Sequence, residues 1–250
     1  MPGHVRRLTE PRGPPPAGWR AAGAVGAAAG RRLRSAPLPA LQRTPSQVLS
    51  GTDDTRLGRA LAPRAAQHPG ESGFHVFDEP HEAFAARVLL ADKAERSTDA
   101  QYFIRHGDAV GTLMWQSLWN AAERGVRVRL LLDDANTYGL DTELAALDAH
   151  PHIELRLYNP FVYRGRRAIG YASDFGRLNR RMHNKSFTAD NQASVAGGRN
   201  IADAYFGAAD ELGFADLDVV AVGPVVAEVS REFDRLQAGF PAGLPIDWLL

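Results

Sequence analysis

Arg180–Asn200 reads RRMHNKSFTADNQASVAGGRN and sets a histidine, a lysine, an aspartate, two glycines and an asparagine into an ordinary apolar/polar alternation. MHNKSFTAD and ASVAGG are predicted as two strands around a turn at Asp190 and Asn191, with Asn200 opening a short helix through Tyr205. Strands so close in sequence pair as a hairpin, so the sheet they join is mixed. Strand side chains alternate with period two, which puts His183 and Lys185 on one side. An imidazole beside an ammonium suits a phosphoryl group that must be both held and attacked. Gly197 and Gly198 let backbone come close to such a ligand, and Asn200 adds an amide at the expected helix start, where unpaired N–H groups attract anions.

Working outward, the flanking segments alternate between helix and strand. EPHEAFAARVLLADKAERS places Phe84, Val88 and Ala91 at helical spacing, and Thr98–Ile104 reads as a strand. Asp108 caps a helix with Val110, Leu113, Met114, Leu118 and Ala121 on its apolar face, and Gly125 ends it. VRVRLLLDD then reads as a strand under a packed helix, TELAALDAH and IELRLY repeat helix then strand, and DLDVVAVGP leads into a last helix. Residues 159–179, rich in Arg, Gly, Tyr and Asp, are predicted as loop, and 46–70 as an extended or loosely helical lead-in. The pattern is that of an α/β domain with a mixed β-sheet flanked by helices.

The bulk numbers agree with one substantial core: 250 residues, 44% hydrophobic and 23% charged. Lys plus Arg and Asp plus Glu are 29 each, so no global positive field favours nucleic acid. Residues 1–45 nonetheless hold eight arginines against the single acid Glu10, and eight of the 16 prolines. They read as a basic, Pro/Arg/Ala-rich tail, either disordered or a targeting or membrane-surface element. Ala21–Gly30 makes a poor signal peptide and is far too short to span a bilayer, which takes about 20 apolar residues. Zero cysteines exclude disulfides and thiolate chemistry. The other histidines show no metal-ligand spacing, so no metal site is expected.

The spacing His183, x, Lys185, four residues, Asp190, six residues, Gly197, Gly198, x, Asn200 resembles the signature of the phospholipase D superfamily, with Gly198 where many members carry serine. DAQYF, AAERGVRVRLLLDD, LYNPF, DFGRLNRRMHNKSF, GGRNIADAYF and FADLDVVAVGPVV extend the resemblance to the amino-terminal half of bacterial cardiolipin synthases, over roughly 72–240. The resemblance implies a phospholipase D-like domain at 71–240, one half of the usual two-domain pseudo-dimer, with 241–250 a truncated linker or tail. It implies a phosphohistidine reaction without cofactor, in which a second histidine protonates the departing alcohol and then activates the acceptor. By match to the motif His183 is nucleophile or acid/base, Lys185 and Asn200 bind phosphoryl oxygens, and Asp190 joins the catalytic set through a structural role in the turn. Asp216 stands where relatives keep an acid that orients a catalytic histidine.

Cardiolipin synthases carry two such motifs that meet face to face, and this chain carries one. The expected partners are therefore a second copy or a missing carboxyl-terminal half, an anionic phospholipid such as phosphatidylglycerol, and the membrane surface. The expected location is the bacterial inner-membrane periphery or the cytoplasm. Phosphatidyl transfer or phospholipid cleavage is the first reading; a homodimeric single-motif nuclease and an inactive fragment are the others. Gly197, Gly198 and Arg181 join Lys185 and Asn200 as expected substrate contacts. Arg177, Arg180 and Arg181 meet lipid headgroups or hold a loop by ion pairs; Asp133 and Asp134 line the site or cap a turn. Trp115 and Trp119 cover a helix face or meet the missing half, and Tyr205 and Phe206 are expected in the core.

Overall fold

The computed structural model describes residues 46–103, 108–209 and 213–239. The basic segment 1–45, the end of the expected strand at Ile104, His106 and the stretch 241–250 lie outside the described residues. Seven strands form one sheet in the order β1-β7-β6-β5-β2-β3-β4. They are β1 (Gly73–Phe77), β2 (Ser97–Tyr102), β3 (Arg127–Asp133), β4 (Ile153–Tyr158), β5 (Ser186–Ala189), β6 (Ala193–Gly197) and β7 (Asp218–Val222). Strands β2, β3 and β4 are parallel, while β5 pairs antiparallel to both β2 and β6, and β7 antiparallel to β6 and β1. The sheet is mixed, as the hairpin at its centre requires.

Among the described residues six α-helices accompany it: α1 (Arg56–Ala65), α2 (Pro80–Lys93), α3 (Ala109–Glu123), α4 (Asp141–Asp148), α5 (Arg167–Leu178) and α6 (Pro224–Gly239). Among the described residues no helix is long and apolar enough to cross a membrane. Asp108 caps α3 by accepting from the Gly111 N–H at 2.8 Å, and Gly125 follows the helix at φ 86. One sheet face is apolar: Ala100, Phe187, Val195, Leu130 and Leu155 share a rung and bury against α2, α3 and α4 residues such as Leu90, Met114, Leu118 and Leu144. Trp115 and Trp119 are half-buried against this core.

The opposite face is more polar, and α6 is tied to it by one buried cation. Arg129 bonds both carboxylate oxygens of Asp99 at 2.6 Å, reaches Asp234 of α6 at 2.7 Å, and lies 4.8 Å from the Phe233 ring centroid. A guanidinium this deep is tolerated because its donors are matched by two carboxylates and an amide oxygen.

Two elements differ from the sequence expectation, and the lead-in, read as extended or loosely helical, resolves to a helix. Residues 159–179 contain the helix α5, which seats its Gly170 side on Phe161, and a kink at Asp174 hides its periodicity. The lead-in holds α1, capped by Thr55, whose side chain accepts from the Gly58 N–H. An edge strand unforeseen from sequence, β1, pairs with β7 although four of its five residues are exposed, so apolar alternation could not mark it.

Candidate active site

The parallel strands end together at Tyr102, Asp133 and Tyr158, and beside them β5 begins in the opposite sense. Loops and side chains collect at such a reversal, outside the carboxyl ends of the strands. Lys185 precedes β5 there, with the Gly197 N–H bonded to its carbonyl at 3.4 Å and Gly197 in turn opposite Asp218. The register thus sets Lys185, Gly197 and Asp218 side by side. Gly197 has no alternative in this packing, since a methyl group on it would overlap the Asp218 carboxylate. A methyl on Gly198 would likewise overlap the carboxylate of Asp216.

Lys185 is buried at 4% exposure, and its Nζ donates to the His183 carbonyl at 2.7 Å. Burial pulls the ammonium below its ordinary pKa, while the negative charges of Asp216 and then Asp218 oppose the shift. His183 is exposed, edge-on to Phe103 with ring centroids 6.0 Å apart. The expected strand does not extend to these two residues, because the ladder with β2 ends at the Gln101 and Ser186 pair. Residues 181–185 approach β5 as irregular backbone, with His183 open to solvent and Lys185 covered.

That approach is held at its start by Asp133, the last residue of β3. Its buried carboxylate accepts from the Met182 N–H at 2.7 Å, the Ala135 N–H at 2.8 Å and Arg181 Nη1 at 3.0 Å. Burial pushes the Asp133 carboxyl above its ordinary range against the pull of Arg181 and these backbone donors. Arg181 also donates through Nε to the Leu178 carbonyl at 2.5 Å and lies over the Phe161 ring. Asp134 accepts from the Phe161 N–H and pairs with Arg164, and Arg177 pairs with Asp174 and Asn159. These groups hold the loops around the site. Arg180 alone of the three arginines is exposed.

Asp190 lies at the far end of β5 from His183. Its carboxylate accepts from the backbone N–H groups of Glu95, Arg96 and Ser97 at 3.0, 2.8 and 2.9 Å, which fixes the α2–β2 connection to the hairpin turn. Asp190 and Asn191 both take φ 51, a left-handed turn that Asp and Asn tolerate. Asn200 does not open a helix; a single 3-10 turn follows at Asp203–Tyr205. Asn200 is buried, its Nδ2 donates to the Tyr205 hydroxyl at 2.9 Å, and its Oδ1 has no partner. Phe206 is core, whereas Tyr205 is half-buried and serves Asn200. Asp216 is half-buried against Gly198, and its carboxylate accepts from the Leu217 N–H at 2.9 Å.

A buried network behind the rung escaped the sequence reading. Arg87 of α2 donates to the Tyr102 hydroxyl at 2.8 Å and to Asp218 at 2.9 Å, and Arg199 stands 3.6 Å from Asp218. Two guanidiniums thus neutralise the carboxylate that sits across Gly197 from Lys185. The available signal was Arg87 itself, a lone cation inside the apolar run AFAARVLLA.

Residues 90–237 match the family model described as cardiolipin synthase, PLD-like domain. Over 180 residues the chain is 56% identical to cardiolipin synthase C of Escherichia coli, covering 72% of this chain and 38% of that protein. It is 34% identical over 197 residues to an uncharacterized protein of Helicobacter pylori, covering 78% of this chain and 39% of the relative. The chain therefore spans less than two fifths of the length of either relative. A solved phosphatidylserine synthase of Haemophilus influenzae superposes with TM-score 0.53 at 13% identity, covering 74% of this chain and 43% of that one, a likeness of fold.

Proposed function

The chain belongs to the cardiolipin synthase, PLD-like domain family, and from that premise we propose that it transfers or hydrolyses the phosphatidyl group of a phospholipid such as phosphatidylglycerol through a phosphohistidine at His183. A ring nitrogen of His183 attacks phosphorus, the bond from phosphorus to the departing alcohol breaks, and a second histidine supplies the proton that alcohol needs. In the second step the acceptor hydroxyl gives its proton to that same group, attacks phosphorus and releases His183. Lys185 holds the phosphoryl oxygens where negative charge accumulates, and Asn200 adds its amide. The second histidine comes from another copy or from a carboxyl-terminal half, and the membrane surface supplies the lipid.

The observation that carries this reading is a buried Lys185 whose Nζ donates to the backbone carbonyl of the solvent-exposed His183 and whose own carbonyl accepts from the Gly197 N–H. The chemistry is tested by quenching turnover of phosphate-labelled phosphatidylglycerol in alkali, where a phosphohistidine survives. The account predicts labelled protein that disappears in His183→Ala; label that persists in that variant removes His183 from the mechanism.

A further inference from the structure

The solvent side of α5 carries apolar residues before and after its kink at Asp174. Ala168, Ile169, Tyr171, Ala172, Phe175 and Gly176 are all exposed, with Ile169 at 40%, Tyr171 at 38% and Phe175 at 61%. At about 100° per residue Ala168, Ile169, Tyr171 and Ala172 cover one arc of the turns before the kink at Asp174, Phe175 and Gly176 follow the kink, and none of the six is charged. Phe161 is already covered: Gly170 packs on it, the half-exposed Tyr171 ring stands edge-on to it at 5.2 Å, and the Arg167 and Arg181 guanidiniums lie over it at 4.8 and 5.3 Å. An amphipathic helix with its apolar stripe turned outward marks a surface that meets something other than water.

The charges at its two ends say what. Arg166 precedes the helix and Arg180 follows it; both are exposed, and neither side chain has an ion-pair partner among the described residues. The one acid within α5, Asp174, is taken by Arg177 at 2.5 Å. Apolar side chains bounded by free guanidiniums match an anionic lipid–water interface, where the stripe enters the acyl boundary and the cations meet phosphates. Arg180 is three residues from His183, so the surface adjoins the candidate site along the chain. We propose that the outer face of α5 is a membrane-docking surface that seats this protein on anionic bilayer lipid. The proposal rests on the phospholipid reading above and names the surface through which that substrate is reached.

The chain has zero cysteines, so Ala172→Cys carries a single environment-sensitive dye on the face in question, and Gln116→Cys, exposed on α3, carries the control. Both are titrated with phosphatidylcholine vesicles containing roughly one-third phosphatidylglycerol, and with phosphatidylcholine alone. The expected result is a blue shift and intensity gain at 172 with the anionic vesicles and none at 116. Phe175→Asp should abolish that response, and Arg166→Ala with Arg180→Ala should weaken it several-fold; all three positions are exposed, so the fold is preserved. A silent dye at 172 while the protein sediments with vesicles would assign the binding to another part of the chain and overturn the proposal. So would a shift at 172 that grows with protein concentration in the absence of lipid, which would make the face a protein contact. The dye reads contact and not turnover, so its failure leaves the His183 chemistry standing. Lost label transfer with an intact dye response would count against that chemistry alone.

Discussion

Lys185 sits between opposing influences: burial favours its neutral form, and the Asp216 and Asp218 carboxylates favour its charged form. Because Asp218 is already matched by Arg87 and Arg199, Asp216 is the carboxylate whose removal should tell most on Lys185. Asp216→Asn takes away a charge that holds the ammonium protonated, so the Lys185 pKa falls further and the alkaline limb of kcat/KM moves to lower pH. A limb that stays in place or moves up in pH would separate Asp216 from Lys185. Gly198→Ser asks the neighbouring question, since its side chain occupies the volume of the Asp216 carboxylate. Activity should drop by roughly tenfold or more, and Asp216→Ala should restore part of it in the double variant, the non-additivity of residues in contact. Equal losses that simply add would contradict the overlap. The sequence disclosed His183 and Lys185 because their spacing is local. It concealed Asp218 and Arg87, 131 residues apart, because only the fold brings them together.

At the scale of elements, the two aspartates at the ends of the 182–190 segment act as its moorings. Asp190 receives three backbone N–H groups from the α2–β2 connection, and Asp133 receives the Met182 N–H just ahead of His183. Asp190→Ala leaves those donors unpaired and should cost about 3 kcal/mol of stability, read by denaturant unfolding. The refolded fraction should keep its turnover per folded molecule. Unchanged stability with lost turnover would instead place Asp190 in the chemistry. The hairpin and the parallel strands were legible because apolar alternation and turn residues agree along them. Helix α5 was not, because Gly170, Gly176 and its arginines read as loop, and what makes it a helix is its seat on Phe161. Asn200 misled for the opposite reason: a polar residue before a short apolar run resembles a cap, yet its amide turns to Tyr205.

For the whole molecule, the domain presents one histidine motif at one end of one sheet, and its match covers 38% and 39% of the two relatives. A nucleophilic histidine needs a second group to protonate the alcohol it displaces, and no other histidine in the chain has lysine two residues on. On the proposed mechanism, completion of the site is a property of assembly. The most direct measurement is molar mass by light scattering, taken on the same chromatographic fractions as phosphatidyl transfer from phosphatidylglycerol. The account predicts transfer only in fractions that hold two motifs, whether as a dimer of this chain or as a complex with an added carboxyl-terminal half, and silence in monomer fractions. Robust transfer from a strictly monomeric fraction would contradict it.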